Sequence, residues 1–435
     1  MRNTAAHGYH SRMRKTLLIL LSITSSAAAQ DLSLKPNPTM TPRLRAALDI
    51  IKADNAWTVE QQRTICEIPA PPFKETVRGL EMKRRFEAIG YRNVRIDSVG
   101  NVIVERPGNG SWPTLVIAGH LDTVFPEGTN VKVKVTGTRM DGPGIGDDCR
   151  GLAVLLAVAR AYAKANVETT GPVYFVANVG EEGPGNLRGM RYLFEHQLTG
   201  KIDAFISVDD GGSVGAITNR AVGSIRYNVT YHGPGGHSYG AFGTPNPIHA
   251  LGRAIAAIGD ITVPASPKTT FNVGVINGGT SVNSIPFSGS AQIDMRSESP
   301  DELDKVNTKV LDILMRARDA ENARWNATDP KRMISFTIDT IGVRPANSAQ
   351  TDKSPIVVAA QAAAKQLGVE QWTLNTSSTD SNIPMSLGIP AITIGGGGTD
   401  ANAHALSEWY DDGSNGWLGP QWAALIVAIV TGVKS

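Results

Sequence analysis

Five short stretches of this 435-residue sequence set acidic or imidazole side chains where apolar runs or glycine-rich loops end. His120-Leu121-Asp122 follows the apolar run 115–118. Residues two apart in an extended strand face the same way, so His120 and Asp122 project together. A histidine that ligates zinc needs a partner to orient its ring, and a nearby carboxylate serves. Asp147 and Asp148 end the glycine-rich stretch 142–146 and open a helical run. Acids at a helix start are favoured by the macrodipole, and capping alone would explain them. The close backbone approach that glycine permits also lets a carboxylate stand between two cations. Glu181 and Glu182 come just after the apolar run 173–177 and before Gly183-Pro184-Gly185. Adjacent acids repel unless a cation or a shared proton compensates, and such a pair can divide metal binding from proton transfer. Asp209 and Asp210 follow another apolar run, and His404 follows the loop 395–398. Each stretch alone has an ordinary structural explanation. Together they can meet at one sheet edge, where mixed histidine and carboxylate ligands suit zinc, with cobalt or manganese as alternatives.

The elements needed to bring them together are legible as patterns. Residues 41–68 and 75–89 repeat apolar side chains at helical spacing, and 94–96, 102–104 and 115–117 are short β-branched runs. A helix over 151–165, a strand over 173–177, a helix over 190–195 and a strand over 204–208 follow. This alternation predicts an α/β fold: a mixed, mostly parallel sheet with helices on both faces, and ligands at the carboxyl ends of its strands. The middle of the chain changes character. Strands at 223–232, 271–276, 288–296 and 333–341 alternate like half-exposed ones, with helices at 247–258 and 300–324. They predict an inserted α+β segment: a four-stranded antiparallel sheet with two helices on one face. The α/β pattern resumes with a helix at 354–367 and a strand at 391–394. The expected division is therefore 30–218 and 343–435 for one domain and 219–342 for the insert.

Composition narrows the functional classes. With 42 basic against 40 acidic residues and the basic ones dispersed, there is no electrostatic footprint for nucleic acid. Residues 1–29 have the form of a signal peptide: Arg12, Arg14 and Lys15, an apolar core at 17–23, and Ala27-Ala28-Ala29 before a mature start at Gln30. The mature protein is expected in the periplasm or secreted medium, with no membrane attachment after cleavage. Cys66 and Cys149 are too few for a disulfide framework. Spacing leaves their pairing open, and buried thiols are the expectation.

Read in order, AGHLDTV, GPGIGDDCRG, VGEEGPGN, SVDDGG, GPGGHS, SVNSIP, SSTDSN and AHALSE resemble metallopeptidase family twenty. These are co-catalytic zinc hydrolases that include peptidase T, glutamate carboxypeptidases, aminoacylases and acyl-diamino-acid deacylases. The resemblance covers nearly the whole chain after the leader. It implies two zinc ions per subunit, one on His120 and Asp209, the other on Glu182 and His404, with Asp147 bridging. Asp210 is the fallback for Asp209. Asp122 would orient His120, and Glu181 would be the general base that takes a proton from a bridging water and returns it to the departing amine. The insert resembles the family's lid, which often forms the contact of a homodimer. There His237 would help stabilise the oxyanion, on its own or its partner's site, while Asn283 and Arg296 match positions that contact the substrate's carboxylate or carbonyl. Residue by residue, Asn283 capping a turn and Arg296 pairing with Asp294 or Glu298 explain those two equally well. One departure stands out: the family's lysine and glycine after the paired aspartates are here Cys149 and Arg150. Whether Arg150 replaces that lysine is open at this level.

The expected activity is hydrolysis of an amide bond in small peptides, as an aminopeptidase or carboxypeptidase. An N-acyl-amino-acid deacylase would use the same residues on a different substrate. A non-catalytic binding module on the same fold predicts damaged ligand positions, and every ligand position carries a competent side chain.

Overall fold

The computed structural model describes residues 40–434, so the leader predicted over 1–29 lies outside the described residues. An eight-stranded sheet organises most of them. Its order is Val94–Ile96, Val102–Arg106, Val173–Asn178, Leu115–His120, Ala204–Val208, Ala391–Ile394, Ala216–Ala221 and Thr373–Ser377. The four central strands, from Val173–Asn178 to Ala391–Ile394, run parallel. All of their residues are buried, as expected where helices cover both faces of a parallel sheet. On one face Phe175, Ile206 and Ile392 pack with Leu152, Val357 and Leu425. On the other, Val116, Val176 and Phe205 pack with Met190, Leu193 and Ile383. The mostly parallel α/β architecture expected from the sequence is present.

The middle of the chain forms a separate antiparallel sheet in the order Thr269–Gly278, Ser288–Ser297, Gly223–His232 and Ser335–Arg344. Helices Pro247–Gly259 and Pro300–Arg324 cover one of its faces, burying Tyr227, Val229 and Ile293 against Leu251, Val310 and Leu314. Both helices begin with proline at the first turn, where its missing N–H costs nothing, after a capping Asn246 or Ser299. The sheet's other face carries polar and charged side chains.

Four features depart from the sequence reading. The helical stretch over 41–68 breaks at Asp54 into Pro42–Ala53 and Asn55–Cys66, and the Asp54 carboxylate accepts from Arg160 and Lys164 at 2.8 and 2.7 Å. Helix Leu418–Thr431 has no polar face to betray a period; it is buried from Gly419 to Thr431 and forms part of the core. A small sheet of three-residue strands, Lys134–Thr136, Arg139–Asp141, Thr399–Ala401 and Trp409–Asp411, is too short to show periodicity. Finally, Cys66 and Cys149 are not free thiols: they form a disulfide with their Cα atoms 5.5 Å apart, because the end of helix Asn55–Cys66 packs on the start of helix Cys149–Lys164. Among the described residues no helix is long and apolar enough to cross a membrane.

Candidate metal centre

His120 ends the strand Leu115–His120, and its ring is fixed from both sides. Nδ1 lies 2.9 Å from the carbonyl oxygen of Asp122, which leaves Nε2 facing the carboxyl ends of the strands. Nε2 lies 2.9 Å from Asp147 Oδ1 and 3.6 Å from Asp209 Oδ1. The other oxygen of Asp147 lies 2.9 Å from His404 Nε2, and that same nitrogen is 3.1 Å from Glu182 Oε1. One carboxylate thus stands between two imidazoles, with a further acid beside each. The ligand atoms of His120, Asp147 and Glu182 fall within 4.8 Å of one another, as do those of Asp147, Asp209 and Asp210. The doubled acid at 209–210 therefore brings both carboxylates to the site, and Asp209 is the one near His120.

The surrounding chain holds these groups by backbone contacts. The carboxylate of Asp122 accepts from the N–H groups of Glu181 and Glu182 at 3.0 and 2.9 Å and lies 3.7 Å from His120 Nδ1. Its carboxylate thus shapes the acidic turn, while its carbonyl orients the histidine. Asp148, joined to Asp147 by a cis peptide, accepts from His120 N and Gly151 N at 2.9 and 2.8 Å and caps the helix that follows. A Cβ at position 151 would stand 2.2 Å from Val208 O, so only glycine fits there. Glu408 is buried and accepts from the N–H groups of Gly144, Gly146 and Asp147 at 2.8, 2.8 and 3.1 Å. Three donors converging on one carboxylate fold the glycine-rich loop that presents Asp147.

Charge in this cavity is out of balance. Burial pushes the Asp210 carboxyl up to about 9, with Asp147, Asp209 and Asp400 adding repulsion. Hydrogen bonds that His404 donates to the Asp147 and Glu182 carboxylates hold its pKa up at about 11. The buried Oδ1 of Asp210 has no hydrogen-bond partner. Excess negative charge, an orphaned carboxylate oxygen and two imidazole Nε2 atoms on one carboxylate are the donor set of a divalent cation site, and these residues fit a pair of divalent ions.

Glu181 is buried beside the cluster. Arg344 Nη1 donates to its Oε1 at 2.9 Å, and Nη2 donates to its carbonyl oxygen. Burial pushes its carboxyl well above the usual range, and the Arg344 charge opposes that shift. Spacing does not single out Arg344 or Glu408, whereas Asp148 is the helix cap that its place before the helical run allows. The partners of Arg344 and Glu408 lie 163 and 264 residues away, and lone charged residues carry no period.

The remaining candidates divide. Arg296 lines the cavity of about 560 Å³ that holds the acidic cluster. His237 and Asn283 do not. Exposed His237 ends the short ladder Gly236–His237 with Ser284–Ile285 and Asn283 directly precedes its second strand; His237 Nδ1 accepts from the N–H groups of Tyr239 and Gly240 at 3.3 and 3.2 Å. Arg150 is fully buried and turned away from the metal residues. It donates to Gly396 O at 2.8 Å and Gly416 O at 2.7 Å, bracing the loop that leads to His404.

Known proteins share this fold. A putative succinyl-diaminopimelate desuccinylase of Mycobacterium tuberculosis is 24% identical over 359 residues, covering 80% of this chain and 92% of that protein. The crystal structure of a Staphylococcus aureus tripeptidase superposes with a TM-score of 0.69 at 21% identity, covering 86% of this chain and 98% of that one. A Bacillus subtilis protein described as a dinuclear metal-binding peptidase of the M20 family superposes at 0.63 with 18% identity, covering 88% and 100%. Residues 116–416 match peptidase family M20/M25/M40, and with the parallel sheet, the separate four-stranded sheet and the paired histidine and acid cluster in place, the chain belongs to that family of hydrolases.

Proposed function

We propose that the protein is a two-zinc peptidase that hydrolyses an amide bond in small peptides outside the cytoplasm. The observation that carries this reading is the Asp147 carboxylate, with an imidazole Nε2 at 2.9 Å on each side and Glu181 lining the same cavity. His120 and Asp209 would hold one ion, Glu182 and His404 the other, with Asp147 shared. Bound there, the ions would polarise the amide carbonyl and lower the pKa of water. The chain's own part is proton transfer and orientation. Glu181 accepts the proton of the attacking water and delivers it to the departing nitrogen, and Arg344 keeps that carboxylate in place. Asp122 sets both the His120 ring and the Glu181–Glu182 turn.

The deacylase reading uses the same residues, and the relative named as a desuccinylase favours it as the second choice. A screen of dipeptides, tripeptides and N-acetyl amino acids against the zinc-loaded protein separates the two. The expected result is peptide hydrolysis with two zinc ions bound per chain. Cleavage of acyl substrates alone would sink the peptidase reading, and one ion or none would sink the two-metal reading.

His237 and Asn283 enter this mechanism through a second copy of the chain. Support comes from their exposure beside Tyr239, Phe242 and Val282, large apolar side chains facing outward. Sedimentation equilibrium is expected to give the mass of a dimer. A monomer would remove both residues from the reaction.

Export is supported by the leader-like composition of 1–29 and by the Cys66–Cys149 disulfide, a bond that persists in oxidising compartments.

A further inference from the structure

The loop that carries the base is tied to the edge of the four-stranded sheet. Strand Ser335–Arg344 lies at that edge, with Gly223–His232 as its neighbour. An edge strand leaves main-chain groups to be taken up from outside the sheet. Val343, next to last in the strand, has both of its groups met by residues that follow the acidic turn. Its N–H donates to Asn186 Oδ1 at 2.9 Å, and its carbonyl oxygen accepts from Arg191 Nη2. Arg191 Nε also donates to Asn186 O at 3.1 Å, so the two residues grip the strand together. Asn186 has a φ of 52°, in the left-handed region that asparagine tolerates better than most residues. Among the described residues, the bond to Val343 is the only hydrogen bond that its side chain makes.

The residue after Val343 gives this contact its use. Arg344 is buried and ends the strand. Its Nη1 donates to Glu181 Oε1 at 2.9 Å and to Ser378 Oγ at 3.1 Å, and its Nη2 donates to the Glu181 carbonyl oxygen. Pro345 is held on the other side, where its carbonyl oxygen accepts from Asn382 Nδ2 at 3.0 Å. Arg344 therefore stands between two main-chain anchors. Asn382 belongs to the short helix Asn382–Ser386, whereas Asn186 stands in the acidic loop itself, just past Glu181 and Glu182. Of the two, only Asn186 fixes the arginine relative to the base. A charge-assisted hydrogen bond depends on distance and angle, so a strand that drifts from this loop carries the guanidinium off the carboxylate.

We propose that Asn186 is a positioning residue for the base: by holding Val343 on the acidic loop, it keeps Arg344 on Glu181. This rests on the reading of Glu181 as the base of an amide hydrolase, and it adds a residue outside the cavity that Glu181 lines. Asp122 holds the Glu181 and Glu182 N–H groups independently, so the metal ligands stay in place when Asn186 is changed. The loss falls on the orientation of one carboxylate, where a shift of about 1 Å costs on the order of a hundredfold in rate.

The test is a double-mutant cycle with Arg344→Met, in which kcat, KM and zinc per chain are measured on wild type, the single variants and the pair. Asn186→Gly removes the acceptor and suits the left-handed backbone. It is expected to lower kcat by about 10- to 100-fold, with KM and bound zinc near wild type. Asn186→Asp keeps an acceptor for the Val343 N–H and is expected to stay within about threefold of wild type. In the Arg344→Met background, Asn186→Gly should cost no more than about twofold, because the guanidinium it serves is gone. A merely structural role would cost as much there as in wild type, and that result overturns the proposal. A wild-type kcat in Asn186→Gly overturns it too, as does an Asn186→Asp variant as slow as the glycine one. Amide exchange across 180–182 reads the same cycle without turnover, and it decides the matter should Arg344→Met be too slow to assay. It also decides should wild type hydrolyse none of the screened amides, a result that sinks the hydrolase reading by itself. Faster exchange in Asn186→Gly that adds nothing to that of Arg344→Met supports the tie; additive acceleration, or none in Asn186→Gly, refutes it.

Discussion

Glu181→Gln is expected to lower kcat by about a thousandfold, near the middle of what general acid–base groups supply, with bound metal unchanged. The separation of these two readouts follows from the geometry. Glutamine keeps an oxygen for Arg344 Nη1, and the backbone contacts of residue 181 to Asp122 and Arg344 do not involve the side chain. The turn therefore stays in place, and Glu182 continues to face His404. What glutamine lacks is a site that takes up and releases a proton. The measurement is kcat on the best substrate of the peptide screen, with zinc per chain determined by plasma mass spectrometry on the same sample. A kcat within tenfold of wild type would place proton transfer on another group. Loss of zinc together with activity would make Glu181 a support of the ligands and not the base.

How far such a site is legible in sequence depends on whether a residue's role comes from its own strand or from distant chain. His120 ends a buried strand and Glu182 and Asp209 stand past two others, where an uninterrupted apolar run announces a parallel strand and its end announces the ligand face. Strands Ala204–Val208, Gly223–His232 and Ala391–Ile394 have the limits their patterns predict. The lid helices are equally legible, since proline after a capping residue marks where each begins. Helix Leu418–Thr431 shows the opposite case: with apolar residues on every side it has no period to detect. Asp122 is more instructive. Alternation predicts it beside His120, and both its groups do lie near the ring although the strand ends at His120; spacing cannot say whether its carboxylate or its carbonyl meets the ring, because that depends on the turn at Glu181. Arg150 likewise brings a positive charge one residue past the family's lysine position, yet it spends that charge on Gly396 and Gly416, loops that come together only in the folded chain.

Removing the Cys66–Cys149 disulfide is expected to cost about 4–5 kcal/mol of unfolding free energy, the loop-closure value for a sequence separation of 83 residues. That is a large share of the 5–15 kcal/mol or so that holds a typical domain together. The bond also acts at a sensitive place. Cys149 is the first residue of helix Cys149–Lys164 and lies two positions after Asp147, so the crosslink ties the bridging acid's segment to helix Asn55–Cys66. Gln62, on that same helix, donates to Ile145 O at 2.8 Å and secures the other end of the loop. A Cys66→Ala/Cys149→Ala variant should therefore unfold at lower guanidinium concentration and release zinc more readily than wild type, with free metal held constant between them. A stability difference below about 1 kcal/mol would mean that packing alone holds the two helices together. The same bond bears on where the protein works. Mass spectrometry of the protein from its own cells should find a chain beginning at Gln30 with one oxidised pair. A full-length chain with both thiols reduced would defeat the export reading, because the leader and the crosslink make the same demand: passage into a compartment where cysteines pair.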